Sequence, residues 1–394
     1  MAITLLINPG SSSKKYSLIE DGRVIADMRY ESDTYKVEFY MQLPGKEQTS
    51  RPVTLEEYSL AIRHMLDTSL REGIVKNLQD ITHIGIRIVA PGTFFQNHRL
   101  IDDLFIHKLR EREPVAPLHI PPTIHEIDLV KTELPQAIMV GISDSAFHKT
   151  MPSRARDYSI EVQDTEKYDI HRFGYHGISN ASVVRRTVSI FSEIPAKMII
   201  CHVGSGVSMT ALLYGESIDT TMGFSPGSGL VMGSRAGDLE VGALLELMRV
   251  KNFHLFEAQT YVQTQGGLKG LTGEADFRHI LERLSQRDEL AIKAMDLFVY
   301  RFQKSLGGFA VALGGLDAII LTATASERSD TLRSLLLNNL DWLGIRIDSA
   351  KNDVLVGHDG IISTTDSKVK VAVIRTNEVD EMYRVTNTFV SPAK

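Results

Sequence analysis

Residues 3–28 read ITLLINPGSSSKKYSLIEDGRVIADM, which is the pattern of a β-meander with a polar loop at its first turn. Asp21-Gly22 is a strong hairpin turn, and Asn8 to Lys15 combines turn residues, hydroxyls and positive charge. Backbone N–H groups, hydroxyls and lysines are the groups that bind a phosphate, although serine-rich hairpin turns are common. The predicted strands are Ile3 to Ile7, Tyr16 to Ile19 and Val24 to Met28.

The same strand–loop–strand pattern returns near the middle of the chain. A short strand ends at Cys201, a glycine- and serine-containing loop spans His202 to Ser208, and two more strands follow. Aligning Gly10 with Gly204 gives an offset of 204 − 10 = 194 residues, close to half of the 394-residue chain. A repeat of this length predicts two similar domains that face a shared nucleotide cleft, each with a phosphate-binding loop. The alternative is a duplicated structural hairpin.

Strands alternate with helices through the rest of both halves, which predicts an α/β fold. A capping box at Thr54-Leu55-Glu56-Glu57 predicts the start of a helix. Two loops are predicted, a stiff one over 114–122 and another over 322–329. The later elements are predicted as a helix over 290–313 broken at Gly307-Gly308, a helix over 330–343 and a strand over 354–356.

Composition excludes several classes of function. The chain is longer than one ordinary core, so two domains are expected. The net charge is −6 and no basic run could follow a nucleic-acid backbone. Cys201 is the only cysteine, which excludes an intrachain disulfide and a cysteine metal cage. The chain has neither a signal-peptide pattern nor an apolar run of about 20 residues, so we expect a cytoplasmic protein without membrane partners.

Four polar residues occupy positions at which a catalytic role is plausible. Arg87 lies in an otherwise apolar strand and needs a partner, while Asp144 follows the end of another predicted strand. His176 lies between an aromatic residue and a glycine, and Arg235 ends a glycine-rich loop ahead of a helix. Three of them have a purely structural alternative: an ion pair for Arg87, a turn or helix cap for Asp144, and a structural role for the His176 ring.

These residues belong to an ordered set of motifs that resembles the acetate kinase family, within the acetate and sugar kinase, Hsp70 and actin superfamily. The resemblance covers nearly the whole chain. Its landmarks are INPGSSSKKYS (7–17), IGIRIV (84–89), APLHIPP (116–122), SDSAFHKTMP (143–152), RFGYHGIS (172–179), CHVGSGVS (201–208), SIDTTMGFSPGSGLVMGSRAGD (217–238), Asp276-Phe277-Arg278, GIRID (344–348) and IRTNE (374–378).

The resemblance implies two actin-like, ribonuclease H-like domains around a central nucleotide and substrate cleft. The N-terminal domain would span 1–150, with a segment of about 380–394 packing back on it, and the C-terminal domain would span 151–379. It also implies a homodimer whose partners are small molecules. The implied reaction is Mg²⁺-dependent, reversible, in-line phosphoryl transfer between ATP and acetate or another short carboxylate, which gives acetyl phosphate and ADP.

Residue roles carry over from the matching motifs. Arg87, Asp144, His176 and Arg235 would be catalytic, with His176 stabilising the phosphoryl group in transfer and Asp144 acting through Mg²⁺ or on the substrate side. Asn8 and Glu378 would hold the metal ion. Arg87 would also bind the substrate, next to an acyl pocket of Val89, Leu118, Tyr175 and Pro226. The nucleotide and phosphate positions would be Ser11, Ser13, Lys15, His202, Gly204, Ser205, Gly206, Asp276, Phe277, Arg278, Thr324, Ala325, Ser326, Glu327 and Arg328.

The chain departs from the family pattern mainly on the nucleotide side. Ser205 stands where the family usually has asparagine, and Thr324 and Ser326 stand where its adenosine loop has glycines. The added Cβ atoms predict a displaced loop or a narrowed pocket. On the substrate side, Ala90-Pro91-Gly92 and His119-Ile120-Pro121 replace the family's His-Gly-Gly and His-Asn-Pro. Two alternatives stay open: pyrophosphate or another donor in place of ATP, and a non-catalytic actin-like binding protein.

Overall fold

The N-terminal stretch forms the predicted antiparallel meander. The structure, a computed structural model, describes residues 2–10, 13–32 and 36–389. Its Cα positions separate the chain into two units, and the last helix returns to the first of them. Unit 1 comprises Met1–Ala146 with Glu378–Lys394, and unit 2 comprises Phe147–Asn377.

Unit 1 is built on a mixed sheet with the strand order β5-β4-β3-β2-β1-β6-β8-β7. The meander β1-β2-β3 is antiparallel, whereas β1, β6 and β8 run parallel to one another. The carboxyl ends of these three parallel strands therefore meet at one edge of the sheet. The strands are β1 (Ile3–Pro9), β2 (Ser13–Glu20), β3 (Arg23–Ser32), β4 (Val37–Gln42), β5 (Thr49–Val53), β6 (Ile81–Ile88), β7 (Arg99–Leu100) and β8 (Ile138–Ser143).

Unit 2 repeats this topology. Its sheet has the order β11-β10-β9-β12-β14-β13, with β9-β10-β11 antiparallel and β9, β12 and β14 parallel. The order β3-β2-β1-β6-β8 in unit 1 thus corresponds to the order β11-β10-β9-β12-β14 in unit 2. This shared order confirms the internal duplication. The strands are β9 (Lys197–Val203), β10 (Val207–Leu213), β11 (Glu216–Thr220), β12 (Ala318–Thr322), β13 (Gly360–Ile361) and β14 (Lys370–Val373).

Helices cover the sheets, and none within the described ranges is long and apolar enough to cross a membrane. Short 3-10 turns lie at Leu78–Asp80, Thr93–Gln96, Glu113–Val115, Ala146–Thr150 and Asp341–Leu343. The α-helices are α1 (Leu55–Ser59), α2 (Ala61–Arg71), α3 (Asp103–Arg110), α4 (Ile120–Glu133), α5 (Ser153–Arg156), α6 (Val162–Tyr168), α7 (Gly177–Phe191), α8 (Val241–Lys251), α9 (Leu255–Thr264), α10 (Gly267–Thr272), α11 (Phe277–Ser285), α12 (Glu289–Ala312), α13 (Thr324–Arg328), α14 (Asp330–Leu337), α15 (Ser349–Val354) and α16 (Glu378–Thr388).

The central strands are buried on both faces, as parallel strands covered by helices require. Leu5, Ile7 and Ile86 are fully buried in unit 1, and Ile200 and Ile320 are fully buried in unit 2. The capping box before α1 is confirmed, because Thr54 accepts from the Glu57 amide and Glu57 accepts from the Thr54 amide. Tertiary burial therefore organises both sheets, and local caps set individual helix ends.

Two predictions about helices are wrong. α12 runs unbroken through Gly307 and Gly308, because buried Phe302, Leu306 and Phe309 outweigh a propensity cost of about 1 kcal/mol per glycine. The predicted helix over 330–343 ends at Leu337, and a left-handed Asn339 separates it from the 3-10 turn at Asp341–Leu343.

Three predictions about irregular segments also need correction. The predicted loop over 322–329 contains helix α13. The predicted strand over 354–356 does not form, because Val354 ends α15 and its neighbours find no strand to pair with among the described residues. The loop over 114–122 is interrupted at each end, by a 3-10 turn and by α4, whose first turn accommodates its two prolines.

Candidate active site

In unit 1, three oxygen-bearing side chains surround the Arg87 guanidinium. Arg87 donates to Asp144 Oδ2 at 2.8 Å and to Asn8 Oδ1 at 3.4 Å, and Glu378 Oε2 lies 3.7 Å from its Nη1. The topology explains this meeting: Asn8 and Arg87 lie near the ends of parallel β1 and β6, Asp144 directly follows β8, and Glu378 begins α16. These four predicted site residues therefore form one cluster, named here the Arg87 cluster.

Charge in the Arg87 cluster is poorly solvated. The Asp144 side chain is 1% exposed and that of Arg87 is 17% exposed. Burial by itself lowers the pKa of Arg87, but the nearby Asp144 and Glu378 carboxylates raise it above its ordinary range. Arg87 Nε is buried without a hydrogen-bond partner among the described residues. A guanidinium held between acids at strand ends is suited to bind a carboxylate or a phosphoryl group.

The same cluster offers a chemically suitable donor set for Mg²⁺. Asn8, Asp144 and Glu378 supply one amide and two carboxylate groups, which lie around the Arg87 guanidinium. No set of three or more His, Cys, Asp or Glu side chains poised for a metal occurs within residues 2–10, 13–32 and 36–389. One or two carboxylates completed by substrate phosphates and water is the usual Mg²⁺ arrangement in kinases. Asn8, Asp144 and Glu378 are therefore of the chemical types that ligate Mg²⁺ in such sites.

The first phosphate-loop candidate leads into β2. Ser11 lies outside the described residues, Ser13 begins β2, and the exposed Lys15 pairs with Asn8 across the strands. The adjacent Lys14 was not singled out from the sequence. It points inward, where its Nζ lies 2.7 Å from Glu126 Oε1 on α4.

The buried Lys14 pair anchors the strand that follows the loop. Tyr16 donates to Glu126 Oε2 at 2.9 Å, and Lys14 also donates to the Tyr58 carbonyl at 2.8 Å. Lys14 and Glu126 are 6% and 0% exposed, so their charges neutralise each other away from water. Their pairing could not be read from the sequence, because 112 residues separate them.

In unit 2, His176 takes a left-handed backbone conformation at the start of α7, with φ 60° and ψ 22°. Its Nδ1 lies 2.9 Å from Ser208 Oγ, and its ring stacks on His202 with centroids 4.0 Å apart. His202 Nδ1 is in turn 2.9 Å from Ser179 Oγ. These contacts leave the opposite ring nitrogen of His176, Nε2, facing the second phosphate loop.

Gly206 lies where His176 and Arg235 approach that loop. A Cβ atom on Gly206 would stand 2.9 Å from Arg235 Nη2 and 3.0 Å from His176 Nε2. Arg235 Nη1 donates to the Pro226 carbonyl at 2.6 Å, which fixes the guanidinium. The loop is closed by the bond from the Gly204 N–H to the Gly206 carbonyl at 3.0 Å. His176, Arg235 and Gly206, all predicted site residues, therefore form a second cluster, named here the His176 cluster.

The remaining predicted pocket and phosphate residues are divided between the units. In unit 2, Tyr175 is buried and its hydroxyl donates to the Phe224 carbonyl at 2.6 Å, close to Pro226 in sequence. Ser205 has an exposed side chain and a carbonyl that accepts from the Gly233 amide. In unit 1, Val89 and Leu118 are half-buried.

The predicted adenosine loop is a short helix with a strained entry. Ala323 precedes α13 with φ 71°, a region in which a residue with a Cβ is strained. Ser326 is buried, and its hydroxyl donates back to the Thr322 carbonyl at 2.6 Å. The Ser326 side chain therefore lies in the interior of unit 2. Thr324, in contrast, is exposed on the surface of α13.

The Glu327 side chain links the start of α13 to Thr376. Its Oε1 accepts from the Ala323 amide at 2.8 Å and from the Thr376 amide at 3.0 Å. Behind it, the fully buried Arg333 donates to the Ser326 carbonyl and to Asn352 and Leu355. Burial lowers the pKa of Arg333, and the nearby Asp330 and Asp353 carboxylates only partly oppose this effect. Sequence inspection did not single out Arg333.

The other adenosine-side residues lie at the start of α11. Asp276 caps this helix and pairs with the exposed Arg278 at 2.5 Å. That hydrogen bond and charge keep the pKa of Asp276 below its usual range. The Phe277 side chain is buried and packs against Phe298 with ring centroids 5.1 Å apart. Any contact of Phe277 with a nucleotide would therefore be through its backbone.

The duplicated sheet topology, with polar clusters at the strand ends, defines a two-unit α/β fold. A profile of the acetokinase family matches residues 3–383. The acetate kinase of Carboxydothermus hydrogenoformans is 37% identical over 381 residues, covering 95% of this chain and 96% of the relative. That of Thermoanaerobacterium thermosaccharolyticum is 35% identical over 398 residues, covering 99% of each.

Solved structures agree with this assignment. Porphyromonas gingivalis acetate kinase superposes with a TM-score of 0.88 at 30% identity, covering 99% of this chain and 100% of the other. A propionate kinase from Francisella tularensis superposes with a TM-score of 0.90 at 30% identity, covering 98% and 100%. The chain belongs to the acetokinase family, and it is a kinase.

Proposed function

We propose that this protein is an acetate kinase, which transfers a phosphoryl group reversibly between ATP and acetate or a similar short carboxylate. The observation that carries the proposal is the Arg87 cluster, in which a half-buried guanidinium contacts Asp144 and stands beside Glu378 at the ends of parallel strands. Relatives matched over nearly their full length are named acetate kinase. The pyrophosphate alternative has no support among these relatives.

The proposed chemistry needs alignment and charge neutralisation more than proton transfer. A carboxylate is already a nucleophile, so its oxygen forms the new bond to the γ-phosphorus as the bond to the bridging oxygen breaks and ADP leaves. Arg87 would orient the carboxylate and the transferring group. His176 Nε2 and Arg235 would stabilise the negative charge on the phosphoryl oxygens. Asn8, Asp144 and Glu378 would hold Mg²⁺, whose positive charge would neutralise part of the phosphate charge.

Substrate size would be set by Val89, Leu118, Tyr175 and Pro226. The Tyr175 hydroxyl donates to the Phe224 carbonyl, which holds the Tyr175 ring in place within unit 2. An apolar pocket that selects by size separates homologous acids by about 1–3 kcal/mol per methylene. Because relatives are named acetate kinase and a similar structure is a propionate kinase, we propose acetate as the main substrate and propionate as the first alternative. Because ATP is an intracellular reactant, the proposal places the enzyme in the cytoplasm.

The test is a donor and acceptor screen by hydroxamate trapping of acyl phosphate. ATP, GTP and pyrophosphate would each be combined with formate, acetate, propionate and butyrate, with Mg²⁺ and with EDTA. The proposal expects acyl phosphate from ATP and acetate, lost in EDTA. Product from pyrophosphate alone would replace the donor, and no product under any condition would support the non-catalytic alternative.

We also propose a homodimer through unit 2. Seven of the eleven residues of α8 are apolar, yet none of its side chains is buried in the single chain. Leu245 is 59% exposed, and Phe256 on the next helix, α9, is 60% exposed. An apolar helix is stabilised by a covering surface, and a second copy would supply one. Light scattering should give twice the chain mass for the wild type and a monomer for Leu245→Glu. Leu104→Glu, at an exposed site on α3, is the matched control.

A further inference from the structure

His148 belongs to the SDSAFHKTMP motif but has no role in the proposed chemistry. It is fully buried in unit 2, yet it is a polar ring. Its Nε2 lies 2.9 Å from the Tyr175 carbonyl and its Nδ1 lies 2.9 Å from Ser217 Oγ. Because a carbonyl only accepts, Nε2 donates to it, and Nδ1 shares a hydrogen bond with the Ser217 hydroxyl. The ring is thereby fixed in one orientation.

The Tyr175 carbonyl and the His176 amide belong to the same rigid peptide plane. Fixing this carbonyl therefore fixes the plane from which the φ angle of His176 is measured. His176 holds φ 60°, a left-handed value that costs an ordinary residue energy and persists only where the surroundings impose it. The bond from His148 is directed at the plane next to this strained residue.

The packing around His148 reinforces the constraint. Gly174, with φ 72°, lies so close that a Cβ atom on it would stand 2.6 Å from His148 Cδ2. Both the Phe173 and the Gly174 amides donate to the Gly223 carbonyl, at 3.1 and 3.3 Å. The chain entering His176 is therefore held from both sides, and His148 contacts the carbonyl that directly precedes the strained residue.

We propose that His148, oriented by Ser217, is a positioning residue that sets the left-handed conformation of His176 and so aims its Nε2 at the second phosphate loop. It acts through the Tyr175–His176 peptide and does not touch the reactants. The proposal rests on the proposed function insofar as His176 contacts the transferring phosphoryl group. It predicts a loss in the rate of phosphoryl transfer with little loss of substrate binding.

The experiment compares three variants of the full-length protein. His148→Gln keeps an N–H donor that can reach the Tyr175 carbonyl, His148→Leu fills the space without a donor, and Ser217→Ala removes the orienting hydroxyl. His148→Leu is expected to lower kcat about 30-fold or more, with each KM within about threefold, because small misplacements of reacting groups cost up to about 100-fold. His148→Gln should recover kcat to within about fivefold of wild type.

A second readout follows the His176 ring by NMR in ¹³C-histidine-labelled protein, assigned with His176→Gln. Its signal and titration midpoint should move in His148→Leu and Ser217→Ala and stay near wild type in His148→Gln. Ser363→Ala, which removes a buried hydrogen bond elsewhere in unit 2, controls for general loss of stability. It should lower Tm without moving the His176 signal or kcat.

The outcomes separate cleanly. A folded His148→Leu with kcat within about twofold of wild type overturns the proposal, as does equal impairment of His148→Gln and His148→Leu at equal Tm. If His148→Leu does not fold, Ser217→Ala decides, and an unchanged kcat together with an unchanged His176 titration overturns it. A wild-type protein that forms no acyl phosphate refutes the proposed function, while the NMR readout still tests the positioning of His176.

Discussion

The guanidinium of Arg87 donates to the carboxylate of Asp144 over 2.8 Å at the carboxyl ends of two adjacent parallel strands. Asp144 also anchors its own backbone there, since its amide donates to the Ile88 carbonyl at 2.9 Å. The pair is therefore part of the sheet edge as well as of the site. Removing one member would leave a charge with little access to water, so activity and stability should change together.

Arg87→Met is expected to lower kcat by about 100-fold or more and to destabilise unit 1 by about 3 kcal/mol, because Asp144 loses its counter-charge. The double variant Arg87→Met/Asp144→Asn should regain part of the stability but none of the activity. Urea unfolding and acyl phosphate formation measure the two effects. Equal stability of the single and double variants would show that the pair contributes no buried charge interaction.

Gly206→Ala should reduce kcat by about tenfold or more, because its Cβ would stand 2.9 Å from Arg235 Nη2 and 3.0 Å from His176 Nε2. Backbone strain is not the cause, since Gly206 does not adopt a positive φ. Gly204→Ala in the same loop is the matched comparison, because its Cβ would meet nothing closer than 3.6 Å. Steady-state kinetics should show a clearly smaller loss for Gly204→Ala, and equal losses would contradict this account.

Glu327→Ala should raise the KM for ATP about tenfold, because the Ala323 and Thr376 amides lose their shared acceptor and α13 loses its support. Glu327→Gln retains an acceptor oxygen and should stay within about threefold of wild type. The KM for acetate should not change in either variant. A rise in the KM for ATP that is the same for both substitutions would assign the effect to the charge of Glu327.

His64 predicts a pH dependence of stability in unit 1. Burial lowers the pKa of His64 below its ordinary value, and the neighbouring Arg51 lowers it further. As the pH falls, the unfolded chain then binds a proton at His64 more readily than the folded chain does. The free energy of unfolding should therefore decrease as the pH drops below about 6.5. His64→Gln should show a flatter dependence of the urea midpoint between pH 7 and pH 5. A slope identical to wild type would assign the dependence to other groups.

Gly308→Ala should stabilise the protein by about 0.5–1 kcal/mol, because Gly308 lies inside α12 and its added Cβ would meet nothing within 4 Å. Gly174→Ala is the contrasting variant, since it combines φ 72° with a clash against His148 and should destabilise. Thermal unfolding measures both. A lower Tm for Gly308→Ala would indicate a contact on that face of α12 outside the single chain.

The polar clusters differ in how far local sequence could predict them. Arg87 and Asp144 are visible as charges in or after apolar strands, and parallel strands bring their ends together. Gly206 and Arg235 are visible only as members of glycine-rich loops, and nothing local shows that they meet at one point. Glu126 and Arg333 carry no motif signal, because their roles come from partners that are distant in sequence, such as Lys14 for Glu126 and Leu355 for Arg333.

The region around α13 shows where sequence reasoning failed. Residues 322–329 are predicted as a loop between a buried strand and a helix, at the place where the family's adenosine loop is glycine-rich. The chain instead forms a helix, since the Ser326 hydroxyl bonds back to the Thr322 carbonyl and Glu327 accepts from the Ala323 amide. A strained Ala323 is maintained by these contacts and by the buried Arg333.

The α/β class and the duplicated meander could be predicted from the sequence, because they depend on periodicity, turn chemistry and repetition along the chain, and the ordered motifs carried the resemblance to the family. The left-handed His176, the burial of Lys14 against Glu126 and the position of Arg87 between Asp144 and Glu378 appear only in the folded chain. Those features depend on contacts between residues that are far apart in sequence: 32 residues separate His176 from Ser208, and 112 separate Lys14 from Glu126. Arg87 is 57 residues from Asp144 and 291 from Glu378. Such contacts are set by strand pairing and burial, and no local pattern encodes them.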